Sequence, residues 1–397
     1  MSLMKSQTAR RWLIPAAAAV TIIGGGAAVG ALAAGADSVL PQRSAAELLV
    51  DLQNAKVDGL SGTVVQSADL GLPGIAKLAA DVGGETGNLG SLVAGTNTLR
   101  VWHSEPDKSR VALVGTLGQT DVIRNGTDVW IWQSAGNTAQ HWTVPAEHAD
   151  DAPLPLASDL PTTPQEAADQ ALAAVDPTTE VVVGRSAKVA GRDAYELILR
   201  PRDDASLVGE VRLAIDGEHK IPLRVEVLAK KDSVSAFKIA FTQVDFGRPD
   251  AEQFAFNPPP GGTVTEGNAK DLEDATAEAG KEPTAEERAA MDKVAEAAQP
   301  KTVGEGWTTV LTVDLNAAQG AVPGSEKQSG KPESAPEDGL SADQLSALSE
   351  TFPEVSGAWG KGNLLSSNLF SVLVTDEGKL YAGLVAPEKL YEVAAAN

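Results

Sequence analysis

The pattern of apolar and polar residues along the chain predicts mostly β-strands. Apolar side chains alternate with polar ones in several segments, as expected for strands with one buried and one exposed face. Short turns such as Gly191-Arg192 and Asp216-Gly217 separate these segments, so neighbouring strands are expected to pair antiparallel. The alternating apolar sets are Tyr195, Leu197 and Leu199; Val211, Leu213 and Ile215; Val225 and Val227; and Phe237, Ile239 and Phe241.

One segment departs from this alternation. In residues 125–134 (NGTDVWIWQS), Val129 and Ile131 fall on one side of a strand, while Trp130 and Trp132 fall on the other. Both faces of this strand are therefore expected to be covered, either by protein on each side or by an apolar cavity on one side.

Helices are predicted at two places beside these strands. Ser44 and Glu47 form a capping box before an amphipathic segment. Thr163 and Glu166 form a second one, and it starts a helix over residues 164–175.

A Gly-rich segment at residues 68–97 is long for a hairpin connection. Apolar loops of this length are usually functional, so its apolar residues are predicted to form a mobile cover, or lid. These lid residues are Leu70, Leu72, Ile75 and Leu78.

Composition divides the chain into four parts. Residues 1–36 have basic residues before a long uncharged stretch, which is typical of a signal peptide or an N-terminal membrane anchor. Residues 44–265 hold the predicted sheet, which the Pro run after Phe256 is expected to end. Residues 266–300 are predicted to be an acidic helical linker. Residues 301–397 are predicted to form a small α+β unit with a disordered loop at 319–340.

Charge and motifs exclude several functions. A net charge of -22 leaves no basic patch for nucleic acid. The chain has no cysteine, which excludes disulfides and a lipid-modified N-terminal cysteine. No nucleophile or nucleotide-binding motif is present, so we expect no enzyme activity, cofactor or metal. The four histidines lie in no metal-binding motif; they are His103, His141, His148 and His219.

A curved antiparallel sheet with a helix and a lid over its concave face can enclose an apolar cavity. Hydrocarbon suits such a cavity, because each methylene removed from water contributes about 0.8 kcal/mol. The alternative is a packed sandwich, in which the same side chains fill a core. The predicted lining is Leu99, Val101, Val111, Leu113, Val129, Ile131, Leu197, Leu213, Val225, Ile239 and Phe241.

Three segments, NGTDVWIW, AGRDAYELIL and DAEQFAFNPPPG, make the chain resemble the LolA/RseB-like superfamily over residues 44–266. The resemblance implies an unclosed β-barrel with a helical lid that binds acyl chains. LolA-type members carry lipoproteins, whereas RseB-type members sense them and restrain a membrane anti-sigma factor. The arginine that helps to hold the closed lid in LolA proteins is not assigned here, although Arg100 and Arg110 lie in the early strands.

We therefore expect an exported, extracytoplasmic protein, secreted or anchored to the cell membrane, that holds lipid or lipoprotein acyl chains without catalysis. The alternative is an RseB-like envelope sensor whose C-terminal unit docks on a membrane protein partner. In that unit, Trp359 either anchors the partner or fills the core of the unit itself.

Overall fold

The computed structural model describes residues 40–72, 95–115, 118–143, 163–173, 175–267, 300–317 and 352–396. The helices in these ranges are α1 (Ala45–Asn54), α2 (Pro164–Ala173) and α3 (Pro387–Ala396). The strands are β1 (Gly59–Ala68), β2 (Gly95–Ser104), β3 (Lys108–Val114), β4 (Gln119–Asn125), β5 (Asp128–Gln133), β6 (Thr138–Thr143), β7 (Thr179–Val183), β8 (Ala187–Val189), β9 (Arg192–Pro201), β10 (Val208–Asp216), β11 (Pro222–Ala229), β12 (Ser235–Asp245), β13 (Thr263–Glu266), β14 (Lys301–Val303), β15 (Val310–Asp314), β16 (Glu354–Gly357), β17 (Gly360–Ser366), β18 (Ser371–Thr375) and β19 (Lys379–Gly383).

The strands form one large sheet and one small sheet. The large sheet has the order β13-β6-β5-β4-β3-β2-β1-β12-β11-β10-β9-β7, and β8 pairs with β9 beside β7. It is curved, and its end strands do not pair, so it is not closed into a barrel. The predicted fold class, a mainly β chain with a curved, unclosed antiparallel sheet, is confirmed.

Alternation decides which side chains of the large sheet face its core. Leu99 lies opposite Leu113 across β2 and β3, and Leu213 lies opposite both Leu197 and Val225. These side chains share one face with Ile239 and form a buried cluster. Leu48 and Leu52 of α1 and Ala167 and Ala168 of α2 pack into the same cluster. We call this side of the sheet the helix-covered face.

We call the other side of the sheet the opposite face. Over strands β3 to β6 this face is covered by the segment that follows β12. After β12 the chain forms a 3-10 turn at Ala251–Phe254, where Phe254 is buried against the sheet. Beyond the Pro run it returns as β13, which pairs with β6 in parallel. The Pro run thus lies in no strand, and after it the chain adds an edge strand that the sequence pattern does not indicate.

The small sheet, in the order β14-β15-β19-β18-β17-β16, packs against α3. Its core includes Leu373, Tyr381 and Leu390. Trp359 packs against this core and stacks on Tyr391, with ring centroids 5.4 Å apart. Trp359 thus contributes to the core of its own unit.

Several predicted features lie outside the described residues. They are the segment at 1–36, most of the linker at 266–300, the loop at 319–340 and two of the lid residues, Ile75 and Leu78. Within the described ranges, no helix combines the length and the apolar character that a bilayer crossing requires.

Candidate ligand-binding site

The structure brings nine of the eleven predicted lining residues together. They belong to the buried cluster of the helix-covered face, and none is more than 7% exposed. The nine are Leu99, Val101, Val111, Leu113, Leu197, Leu213, Val225, Ile239 and Phe241. Since α1 and α2 pack onto this cluster, the face is closed in this conformation.

The other two predicted lining residues, Val129 and Ile131, lie farther along the same face. Ile131 is directly opposite Val122, which in turn is opposite Val111. Val129 is buried, whereas Ile131 is half-buried. Neither belongs to the cluster beneath the helices.

A buried polar pair interrupts the apolar face, and sequence reasoning missed it. Gln66 of β1 and Asn97 of β2 are direct partners across the strands, and the Asn97 Nδ2 donates a hydrogen bond to the Gln66 Oε1 at 3.3 Å. Gln66 is fully buried beside Ile239. Gln66 lies two residues after the buried Val64, so strand alternation could have placed it on this face.

The first two lid residues are attached to the C-terminal unit. Leu70 and Leu72 follow β1 and are half-buried. The backbone N–H of Asn368 donates to the Leu70 carbonyl at 2.8 Å, and the Asn368 Nδ2 donates to the Asp69 carbonyl at 3.1 Å. Gly71, which lies between Leu70 and Leu72, has a φ of +68°. The start of the lid is therefore held by the second unit of the chain.

The two faces of β5 are covered in different ways. Trp130 and Trp132 lie on the opposite face, beneath the Phe256 ring at centroid distances of 5.1 and 6.2 Å. Trp130 also stacks on His141, whose Nδ1 lies 2.8 Å from a Glu266 carboxylate oxygen of β13. Protein covers the tryptophan side, which answers the question that the sequence of this strand raises.

Arg110 is committed to the opposite face and not to the lid residues that the structure describes. Its Nη2 pairs with the fully buried Asp121 at 2.7 Å, and its Nη1 donates to the Gln253 carbonyl at 3.1 Å. The guanidinium also lies over the Trp102 ring. Arg110 thus fastens the returning segment, while its neighbour Arg100 is exposed.

A second ionic cluster fixes the turn between β10 and β11. Asp216 is 1% exposed and accepts hydrogen bonds from Arg192 and from the backbone N–H groups of Glu218 and His219. Burial raises the pKa of the Asp216 carboxyl, but the Arg192 hydrogen bond and the two N–H groups outweigh burial. Its pKa therefore lies below the usual value.

Glu210 of β10 has a similar environment. Burial raises the pKa of its carboxyl, and the hydrogen bonds from Arg200 and Arg212 lower it by more, so the pKa lies below the usual value. These ion pairs hold strands together, and among the described residues no group of His, Asp and Glu side chains is arranged to hold a metal ion.

Open space lies on the opposite face. A cavity of about 480 Å³ lies between β8 and the strands β1, β11 and β12. Phe241 is the one member of the predicted lining that also borders it. The cavity shares Val189 and Phe241 with the buried cluster and opens on the other side of the sheet.

Residues 93–260 match the family model of the MucB/RseB N-terminal domain. This part of the chain is therefore similar to a MucB/RseB N-terminal domain. The match covers strands β2 to β12 and the segment that covers the tryptophans, so the resemblance seen in the sequence is confirmed. No curated protein sequence matches the chain.

Several solved structures are similar to this chain. The MucA/MucB complex of Pseudomonas aeruginosa matches with 14% identity, a TM-score of 0.37, and coverage of 88% of this chain and 96% of that chain. The LolA superfamily protein NE2245 from Nitrosomonas europaea matches with 11% identity, a TM-score of 0.23, and coverage of 54% and 99%. A putative outer membrane lipoprotein-sorting protein domain from Vibrio parahaemolyticus matches with 11% identity, a TM-score of 0.21, and coverage of 52% and 94%.

Proposed function

We propose that this chain is an exported, non-enzymatic binding protein that holds lipid or lipoprotein acyl chains against the helix-covered face. The observation that carries the proposal is the continuity of this face. Nine apolar side chains from six strands form one surface, and its covers, α1 and α2, are not part of the sheet. The LolA/RseB-like domain supports the same function class.

Ligand entry requires α1 or α2 to move away from the sheet. The free energy gained by burying an acyl chain can compensate for the burial that the helix loses. Helix α1 buries Leu48 and Leu52, and each buried leucine contributes about 1.5–3 kcal/mol. An acyl chain that buries ten methylenes gains roughly 8 kcal/mol at about 0.8 kcal/mol each. A chain of that length therefore compensates for the displacement of α1.

The remaining parts of the chain fit an extracytoplasmic role. We propose that residues 1–36 direct export, with the protein either secreted or held at the membrane by that segment. The net charge of -22 disfavours attraction to anionic membrane surfaces, so contact with lipid would rest on apolar burial.

Photo-crosslinking tests the site. Palmitate with a diazirine on its chain would be bound to the full-length protein, irradiated, and mapped to single residues by mass spectrometry. We expect labels at Leu213, Val225 or Ile239 and on α1. The result that would overturn the proposal is labelling restricted to the opposite face, or no labelling above that of a diazirine compound without an acyl chain.

A sensor role is a second candidate, and it rests on the contact between Asn368 and residues 69–71. In this proposal, a ligand that moves the lid also releases the C-terminal unit, which then changes its hold on a membrane protein partner. Hydrogen exchange of the Asn368 amide, with and without a diacylated lipopeptide, tests the coupling. Faster exchange with the lipopeptide supports the sensor, and unchanged exchange with bound lipopeptide supports a carrier.

A further inference from the structure

The cavity on the opposite face has a composition that differs from the rest of the chain. Its lining includes three basic side chains, Lys188, Arg224 and Lys238, and no acidic side chain. The whole chain has 54 acidic and 32 basic residues. Its volume of about 480 Å³ is within the range of small-molecule sites. A lining with basic and no acidic side chains at a concave, partly apolar site favours an anionic ligand.

Arg224 combines one ion pair with a donor that has no acceptor. One guanidinium nitrogen, Nη2, donates to the Glu196 carboxylate at 2.7 Å. Its Nε is buried and has no hydrogen-bond acceptor. A buried N–H without an acceptor lowers stability, and native structures seldom keep one without a reason. The Arg224 side chain as a whole is 20% exposed and lines the cavity, so an anionic group there can contact it.

The two lysines extend the positive charge around the cavity. Lys238 makes no ion pair with any residue that the structure describes. Lys188 contacts Asp193 at 3.6 Å, and its side chain is 68% exposed, so this pair is weak. Both ammonium groups are therefore available to a ligand.

The strand register places an apolar floor beside Arg224. Ala240 of β12 lies directly opposite Arg224 on one side and Val65 of β1 on the other. Val189 of β8 also lines the cavity. A cationic end next to an apolar row suits a ligand with an anionic group and a short hydrocarbon chain.

We propose that this cavity binds an amphiphile with one anionic group, a carboxylate or a phosphate. The anionic group contacts Arg224 and Lys238, and the hydrocarbon chain lies on Val65, Ala240 and Val189. The basic side chains of this site lie outside the buried cluster of the helix-covered face, so the site can exist whether or not acyl chains bind there.

Isothermal titration calorimetry with the full-length protein tests the site. The ligands are decanoate, decyl phosphate, 1-decanol and acetate. Besides any binding of the decyl chains to the helix-covered face, we expect decanoate and decyl phosphate to fill a site that decanol and acetate fill at least roughly tenfold more weakly. The stronger of the two anions identifies the headgroup. Decanol binding as tightly as decanoate, or acetate binding as tightly as decanoate, would overturn the proposal.

Variants locate the binding. Lys238→Gln should weaken decanoate roughly tenfold, because it removes a charged contact. The pair Arg224→Gln with Glu196→Gln should do the same without leaving a buried carboxylate unpaired. Lys231→Gln, an exposed lysine in the β11–β12 turn, is the matched control and should bind like wild type. Wild-type affinity in both cavity variants would contradict the proposal.

A third variant tests the apolar floor. Ala240→Leu places a larger side chain in the cavity and should weaken decanoate while leaving the weak binding of acetate unchanged. Ala240→Leu could fail to fold, so Lys238→Gln provides the independent test. Lys238 is half-buried and makes no ion pair among the described residues, so its replacement should not prevent folding. Diazirine-palmitate labelling of the helix-covered face should persist in Lys238→Gln, which separates this site from the proposed acyl site.

Discussion

Asp121 shows how single buried charges hold the opposite face together. Its side chain is fully buried and pairs with Arg110, while Gln119 donates a second hydrogen bond to it. Arg110 also reaches the Gln253 carbonyl of the returning segment. Loss of the arginine would leave a buried carboxylate without its countercharge, which is among the most destabilising changes that a point mutation makes.

We expect Arg110→Met to reduce the free energy of unfolding by about 3 kcal/mol. It should also expose Trp130 and Trp132, because the segment that covers them loses its attachment. Urea denaturation followed by tryptophan emission measures both effects. Arg100→Met, at an exposed position of the neighbouring strand, is the control and should stay within about 0.5 kcal/mol of wild type. Equal losses in the two variants would contradict the assigned role.

Asp216 predicts a pH dependence of stability. Its pKa is lower in the folded protein than in the unfolded chain, where it is about 3.9. The stabilisation is therefore present above about pH 4 and is lost as the pH falls through the folded value. Asp216→Asn should be less stable at pH 6 and should lose less of its remaining stability on acidification to pH 3. Parallel losses in wild type and variant, measured by urea denaturation, would refute this assignment.

At the scale of elements, regular alternation was a reliable guide. It identified the strands β9 to β12, because each of these strands has one buried and one more polar face, and the turn at Asp216-Gly217 between β10 and β11. The second helix was also identified from Thr163, whose Oγ1 accepts from the Glu166 backbone N–H at 3.2 Å. Local sequence contains this information, since caps and alternation depend on neighbours along the chain.

Elements that depend on distant partners were missed. β7 is a short run, TEVVV, without alternation, and β13 has four exposed residues after a Pro run. The pairing of β13 with β6 in parallel depends on the path of the whole Asp250–Glu266 segment. No local pattern specifies such a pairing, so the sequence alone does not identify β13 as a strand.

Helix α1 provides a prediction for the proposed opening of the helix-covered face. The Ser44 Oγ accepts from the Glu47 N–H at 3.3 Å, and the Ser44 N–H donates to the Glu47 carboxylate at 2.8 Å. Ser44→Ala removes the cap at a cost of about 1 kcal/mol, so the displaced helix should be roughly fivefold more populated. The association rate of cis-parinaric acid, measured by stopped flow, should rise by up to that factor.

Val50→Ala is the control for this experiment. Val50 is in the same helix and is 55% exposed, so its truncation leaves the cap and the buried leucines intact. Its association rate should match wild type. A Ser44→Ala variant with lower thermal stability and an unchanged association rate would show that α1 does not limit entry.

At the scale of the whole molecule, the two sheets are linked through contacts in several places. The Trp307 Nε1 donates to the Thr179 Oγ1 at 2.8 Å, and the Leu207 N–H donates to the Leu384 carbonyl at 2.8 Å. The contact of Asn368 with the start of the lid is a third. This contact joins the start of the lid, which is proposed to move, to the C-terminal unit, which is proposed to bind the partner.

Gly71→Ala should break that third contact. A methyl group there would lie 2.6 Å from the Asn368 side chain, and the φ of +68° is unfavourable for alanine. Exchange of the Asn368 amide should become roughly tenfold faster. Gly95→Ala is the matched control, because its φ is +90° and its methyl group would meet no atom within 4 Å. If the Asn368 amide exchanges equally fast in both variants, backbone strain and not the lost contact with Asn368 would be the cause, which would contradict the prediction.

The candidate site could be predicted from sequence in part. Alternation placed Leu99, Leu213 and Ile239 on a shared face, and the structure puts them in one cluster. Whether side chains fill that face or border a cavity depends on how α1 and α2 pack on it, and a strand pattern contains no such information. The cavity beside Arg224 was also missed. It forms where β8 packs near β1, β11 and β12, and a strand pattern does not show which distant segments meet.

The central claim is that acyl chains bind this protein, and mass spectrometry tests it most directly. The protein would be secreted, purified without detergent, and weighed under native and then denaturing conditions. The account predicts a native mass that exceeds the denatured mass by one acyl-bearing molecule, or that gains one after incubation with a diacylated lipopeptide. Identical masses in both conditions, before and after that incubation, would contradict it.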